Sequence, residues 1–436
     1  MKEKDEFDLV STENLTIIPW LILKAEATVQ TFDKRNKVVE LSALRPSVSS
    51  GGPRWYSVVV VKSFKELDKR KKELKGKLVV YNQPWINYTQ SNEYVKHGAS
   101  RAAKYEAAAV LIRSPTPFSI YSVHSGQMVY NSSVPKIPAA CITVEDAEYF
   151  QRIFDRKLTL NITLSIETLT NKENKTSSNI IAEMKGTERP DEYVIVGGHT
   201  DSWNNDGALD DGAGFMIAWE ALRVLKELDL RPKRTVRLVL WTAEESGSLG
   251  SDDYFERHHD ISDKLSMILE SDQGVFNPRG LRFTGCSLAK DILQEILRVH
   301  LTDLNMTEIT PGGESSGTKR WIEEKDVPGL ELLSDNDKYY YFHHSKGDSV
   351  SVLNADEMDR AVILWTTVIQ IVANFDSLLP RQSAATFNHV ALNVLMAYAM
   401  SVLFLMSHMS YLPVCCVDDA MQNEEKLLKN CEEVRK

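Results

Sequence analysis

The chain is poor in cysteine: Cys141, Cys286, Cys415, Cys416 and Cys431 are the only five among 436 residues. They are too few and too scattered for a disulfide scaffold, and none has the spacing of a thiolate metal site. A basic excess is missing as well. With 51 Lys and Arg against 61 Asp and Glu the formal net charge is -10, which argues against a nucleic-acid binder. The isolated Gly317-Thr318-Lys319-Arg320 lacks the glycine-rich lead of a phosphate loop. There is no long repeat or low-complexity tract, and the opening MKEKDEFDLV has no apolar core of the kind a secretion signal needs. What is there is the composition of a globular chain, 43% apolar and 26% charged, long enough for two or three domains. N-x-S/T triplets at Asn14, Asn87, Asn131, Asn161, Asn174 and Asn305 lean towards a secreted, glycosylated protein.

Short Val- and Ile-rich runs mark the first third. WYSVVVVKSF, GKLVVYNQP and AAAVLIR read as strands, with SFKELDKRKKELKG and EYVKHGASRAAKYEA helical between them. This predicts a small α/β or β-rich module over residues 35–169, after a segment at 1–34, with the polar TNKENKTSSN as a linker. Over 170–380 strands and helices alternate. EYVIVGG, RTVRLVLWT and KLSMILESDQG read as buried strands, and the run from Gly214 to Leu228 has helical periodicity with Asp210 and Asp211 where an N-cap would sit. Asn354 and Glu357 are placed as a capping pair for a closing helix. Such alternation predicts an α/β domain with a mostly parallel central sheet, whose sites gather at the carboxyl ends of its strands.

Those ends carry chemistry. The stretch HTDSWNNDGALDDGAG, residues 199–214, sets His199 and four aspartates between glycines. Taken alone it reads equally as an acidic surface loop. However, Glu244 and Glu245 follow the second strand and Glu270 and Asp272 close the third, so three strand ends offer acids or imidazole to one edge. A late histidine pair follows in YYYFHHSKGD. A pair of metal ions about 3.5–4 Å apart needs a bridging carboxylate and further nitrogen or oxygen ligands on each. His199, Asp210, Glu245, Asp272 and the histidine pair offer them. Asp201 could hold the second ring nitrogen of His199, and Glu244, beside a ligand, could take a proton from water.

The order of these motifs, with LVLWTAEE, ESDQG and FHHSKGD, resembles the family of co-catalytic di-zinc exopeptidases that includes bacterial leucyl aminopeptidases and glutamate carboxypeptidases. LRPKRTVRLVLWTAEE and VPKIPAACITVEDAE resemble one carboxypeptidase branch of it. The resemblance runs from about residue 15 to about residue 380. It implies a phosphorylase/hydrolase-like sandwich into which the 35–169 module is inserted as a protease-associated domain. It implies two zinc ions, one on His199 and Asp272, the other on Glu245 and His344, with Asp210 bridging. His344 is favoured over His343 because the motif sets the ligand four residues before an aspartate, here Asp348. Asp201 becomes the partner of His199 and Glu244 the general base. Peptide or dipeptide substrates, carboxypeptidase-type cleavage, a homodimer and a secreted or lysosomal site are implied with it. A di-zinc aminopeptidase and a truncated non-catalytic relative are the alternatives.

The sequence departs from the family in three places. The family's signal, propeptide and first catalytic helices are not seen ahead of the resemblance. Gly317, in PGGESSGTKRWIEE, stands where relatives carry an aspartate. Residues 381–436 extend past the family's end, with no Lys, Arg, Asp or Glu between Arg381 and Asp418. The apolar segment at 390–412 in that extension reads either as a membrane anchor or as sequence foreign to the gene.

Overall fold

Two eight-stranded sheets carry the described residues, and the order in which the chain enters them sets the site. The computed structural model describes residues 7–30, 35–170, 173–203 and 207–381. β1 (Leu9–Ile17) is an edge of the first sheet. The chain then leaves for the second sheet with β2 (Trp20–Gln30), β3 (Asn36–Val39), β4 (Leu41–Ala43), β5 (Arg54–Val61), β6 (Leu78–Tyr81), β7 (Ala109–Arg113), β8 (Ala139–Ile142) and β9 (Asn161–Thr170). It returns with β10 (Lys175–Met184), which pairs antiparallel with β1 from Leu9↔Glu183 to Ile17↔Lys175. β11 (Arg189–His199), β12 (Arg234–Trp241), β13 (Leu265–Glu270), β14 (Gly280–Thr284), β15 (Glu308–Pro311) and β16 (Gly329–Leu333) complete the first sheet.

That sheet runs β1-β10-β12-β11-β13-β16-β14-β15. Its middle, β12-β11-β13-β16, is parallel as expected, while β1, β10 and the β14–β16 pair are antiparallel. The parallel strands are buried on both faces, which is why they read as unbroken apolar runs. In the second unit the expected runs form β5, β6 and β7, with α1 (Phe64–Lys69), α2 (Tyr88–Ala103) and α3 (Val144–Asp155) packed on them. In the first, α4 (Ala213–Glu227), α6 (Ser287–His300) and α9 (Ala355–Ala373) cover one face through Ile217, Leu293 and Trp365. α5 (Leu249–His258) and α7 (Lys319–Lys325) cover the other through Tyr254, Phe255 and Trp321. The short α8 (Asn336–Tyr339) leads into the histidine pair.

Two expectations change. The second unit begins at Trp20, before the boundary at residue 35, because β1 and β2 belong to different sheets on either side of Pro19. Asp210 and Asp211 do not cap α4: its N-cap is Gly212, and both carboxylates are buried and used elsewhere. The Asn354 cap of α9 is present, its side chain accepting from Glu357 N at 3.1 Å. Among the described residues no helix is long and apolar enough to cross a membrane. The 390–412 segment and Cys415, Cys416 and Cys431 lie outside those residues.

Candidate metal centre

β11 ends on His199, which is 1% exposed. Its Nδ1–H donates to the main-chain oxygen of Asp201 at 2.8 Å, so Nε2 is turned towards Asp210 Oδ1 at 3.1 Å and Asp272 Oδ1 at 3.3 Å. Asp272 follows β13, the parallel neighbour of β11, which explains the meeting. Asp210 comes from the bend after Gly207, whose φ of 122 favours glycine, and the Asp210–Asp211 peptide is cis. Asp348 holds that bend: its carboxylate accepts from Leu209 N at 2.6 Å and Asp210 N at 3.1 Å, and its carbonyl from Gly207 N at 2.9 Å. Asp211 Oδ2 accepts from His199 N at 3.0 Å, which closes the bend against β11. Gly214 permits the approach, since a Cβ there would lie 1.8 Å from Ser271 O. Asp206 lies outside the described residues.

Glu245, in the loop after β12, brings Oε2 to 3.0 Å from His344 Nε2, which is itself 3.2 Å from Asp210 Oδ2. His344 donates Nδ1–H to Ser125 O at 3.2 Å and stacks on His343 at 3.6 Å. His343 Nε2 also reaches Asp210 Oδ2, at 3.4 Å. Among the described residues ligand atoms thus gather in two clusters, His199–Asp210–Asp272 and Asp210–His343–His344, each within 4.8 Å. Asp210 is common to both. The sequence preferred one histidine of the pair; the structure brings both to Asp210.

Asp201 acts differently from expectation. Its carboxylate is 3.7 Å from His199 Nδ1, and the ring is held by its carbonyl oxygen instead. The carboxylate accepts from Glu244 N at 2.9 Å and Glu245 N at 3.2 Å and so fixes the glutamate loop. Glu244 is half-buried and accepts from Ser248 Oγ at 3.4 Å, outside both clusters. Glu270 does not join either: its carboxylate takes the Ser315 hydroxyl and, at 2.9 Å, Gly317 N. A Cβ on Gly317 would stand 2.5 Å from Glu270 Oε2 and Trp241 Nε1, so an aspartate has no room there. Asp348 and Asp211 are the residues that sequence reasoning missed as supports. The four-residue spacing from His344 and the doubled aspartate were their signals.

The buried acids and imidazoles of the centre perturb one another strongly. Burial alone would depress the His199 pKa, yet Asp210 and Asp272 outweigh it and raise it well above normal. Burial raises Glu245 to about 7 and lifts Asp272 well above the carboxylate range, while for Asp210 the histidines outweigh burial and hold it well below. Among the described residues Glu245 Oε1 is buried without a hydrogen-bond partner, a rare condition for a carboxylate. Both ring Nδ1–H groups are committed to carbonyl oxygens, which leaves each Nε2 facing acid oxygens. Imidazole and carboxylate donors converging this way fit divalent metal ions.

Behind Glu270, Glu331 on β16 sits 3.2 Å from Arg282, but burial outweighs that partner and pushes its pKa to about 8. The folded protein therefore keeps a proton that the unfolded chain has lost between about pH 4.5 and 8, and stability falls as pH rises through that window. Glu331→Gln should match the parent near pH 5 in thermal melts and gain on it steadily towards pH 8. A constant difference across that range would contradict the assignment.

Residues 179–369 match the profile of peptidase family M28. Carboxypeptidase Q of Mus musculus is 42% identical over 383 residues, 87% of this chain and 80% of the relative. A peptidase M28 precursor from Shewanella amazonensis superimposes with a TM-score of 0.78 at 26% identity, covering 86% of each chain. BSAP, a zinc aminopeptidase from Bacillus subtilis, shares the fold with a TM-score of 0.63 at 20% identity over 89% of each chain. Fold and relatives define a peptide hydrolase. The chain belongs to peptidase family M28, in the group of the carboxypeptidases Q.

Proposed function

We propose that the protein is a two-zinc exopeptidase that removes carboxyl-terminal residues from dipeptides or short peptides. The observation that carries this reading is the sharing of Asp210 by two ligand clusters, with an acid next to a ligand but outside them. His199 and Asp272 would hold one ion, Glu245 and His344 the other, and Asp210 would bridge. Zinc bound there supplies Lewis acidity, polarising the scissile carbonyl and making water acidic. Glu244 takes the proton of the attacking water and returns it to the leaving amine. Asp201 keeps Glu244 and Glu245 in register through their amide groups. Asp348 presents Asp210.

The unit from Trp20 to Thr170 is read as a protease-associated domain inserted between β1 and β10. Secretory or lysosomal residence is inferred from the resemblance to the carboxypeptidases Q, and the glycan acceptors agree with secretion: Asn14, Asn87, Asn131, Asn174 and Asn305 are exposed and Asn161 is half-buried. The carboxypeptidase assignment follows the named relatives. Dipeptides blocked at one end test it. An N-acetylated dipeptide should be cleaved and the corresponding C-terminal amide should not, with activity lost on chelation and regained with zinc. The opposite selectivity would make the enzyme an aminopeptidase.

A further inference from the structure

Part of the second unit wraps against the metal centre. Arg45, just after β4, forms a parallel bridge with Gln127. Arg45 N donates to Gly126 O at 3.2 Å, and Met128 N to Arg45 O at 2.6 Å, so these segments form one two-stranded strap. Ser125 N donates to His344 O at 3.2 Å, and the His344 ring returns Nδ1–H to Ser125 O at 3.2 Å. His124, 2% exposed, donates Nδ1–H to His343 O at 2.7 Å. Arg45 donates to the hydroxyl of Ser246, next to Glu245. The contacts that leave the strap, from Ser125, His124 and Arg45, end on the loop of Glu245 or the loop of His344. The His199 ring is held within the first unit instead, by Asp201, Asp210 and Asp272.

Both clamped loops contain a non-glycine residue in the left-handed region, Ala243 at φ 56 and His344 at φ 57. Such conformations persist where surrounding contacts over-determine them. A carbonyl on Nδ1 also selects the tautomer in which Nε2 is the ligating nitrogen. We propose that the strap of Arg45 and His124–Gly126 is a positioning device for one of the two ions: the ion of Glu245 and His344 depends on the inserted unit, and the ion of His199 and Asp272 does not. This rests on the two-zinc reading.

The test uses the full chain with His124→Leu, His124→Asn and Arg45→Met, and measures zinc stoichiometry and stepwise affinity by chelator competition. His124→Leu and Arg45→Met should weaken one ion by about 10–100-fold, the usual effect of losing a partner behind a ligand, and leave the other unchanged. His124→Asn keeps an N–H donor for His343 O and should restore most of that affinity. Equal weakening of both ions, no weakening, or identical behaviour of the Leu and Asn variants would overturn the proposal. Parent protein holding fewer than two zinc ions would overturn the two-zinc reading, and this inference with it.

Discussion

Asp210→Ala protein is expected to be purified with almost no zinc, whereas His344→Ala should keep one of the two proposed ions. Asp210 is the one side chain common to both ligand clusters, and its two oxygens point different ways. Oδ1 lies 3.1 Å from His199 Nε2, and Oδ2 lies 3.2 Å from His344 Nε2. Truncation would leave His199 and Asp272 on one side and Glu245 with the histidine pair on the other, each set without its shared anion. It would also leave His199 as a buried imidazole whose raised pKa has lost a main support, the Asp210 carboxylate. Peptide hydrolysis should fall to background in the same preparation. Metal analysis decides the matter, and full occupancy in the Asp210→Ala protein would defeat the bridging role.

Glu244→Gln should behave in the opposite way, keeping both ions and the fold while losing about 10²–10⁴-fold in kcat, the usual contribution of general acid–base catalysis. The amide preserves size and can still accept from Ser248 Oγ, now 3.4 Å away. The backbone of the loop stays anchored because Asp201 binds its amide groups and not its side chains. What disappears is the basic oxygen. Glu245→Gln differs, because Glu245 Oε2 is 3.0 Å from His344 Nε2, and it should lower zinc affinity along with rate. A zinc-loaded Glu244→Gln enzyme with near-normal turnover would remove Glu244 from the mechanism.

The parts of the site carried by strand ends were legible beforehand. β11, β12 and β13 are buried on both faces, so their apolar runs mark strands and their last residues mark the sheet edge. His199, Glu244, Glu245 and Asp272 follow directly. The bend at Asp210 was harder, because an aspartate pair ahead of a helix carries the same local signal whether it caps the helix or turns inward. Sheet membership was harder still. β1 and β2 are adjacent in the sequence, and nothing local to Trp20 says that its neighbour is Thr170 and not the first sheet. The Ser125 and Asp201 carbonyl oxygens that orient the two histidines belong to the main chain, which any residue supplies, so side-chain identity carries no trace of them.

The separation of β1 from β10 by the whole second sheet has a consequence for the order of events at the ribosome. β1 emerges first and its partner only after residue 175, a wait of roughly ten to thirty seconds at ~5–20 residues per second. The second unit waits almost as long, since β2 pairs with β9 from Trp20↔Thr170 to Gln30↔Asn161, but its strands find all their neighbours between Trp20 and Thr170. It closes only a few residues before β10 begins at Lys175, and until then β1 is a lone strand. Such a strand is a hazard for self-association when it is long, flat and apolar. β1 reads LVSTENLTI, with Leu15 its only buried residue even in the finished sheet. Its Ser, Thr, Glu and Asn suit a segment that must stay dissolved until its partner is made.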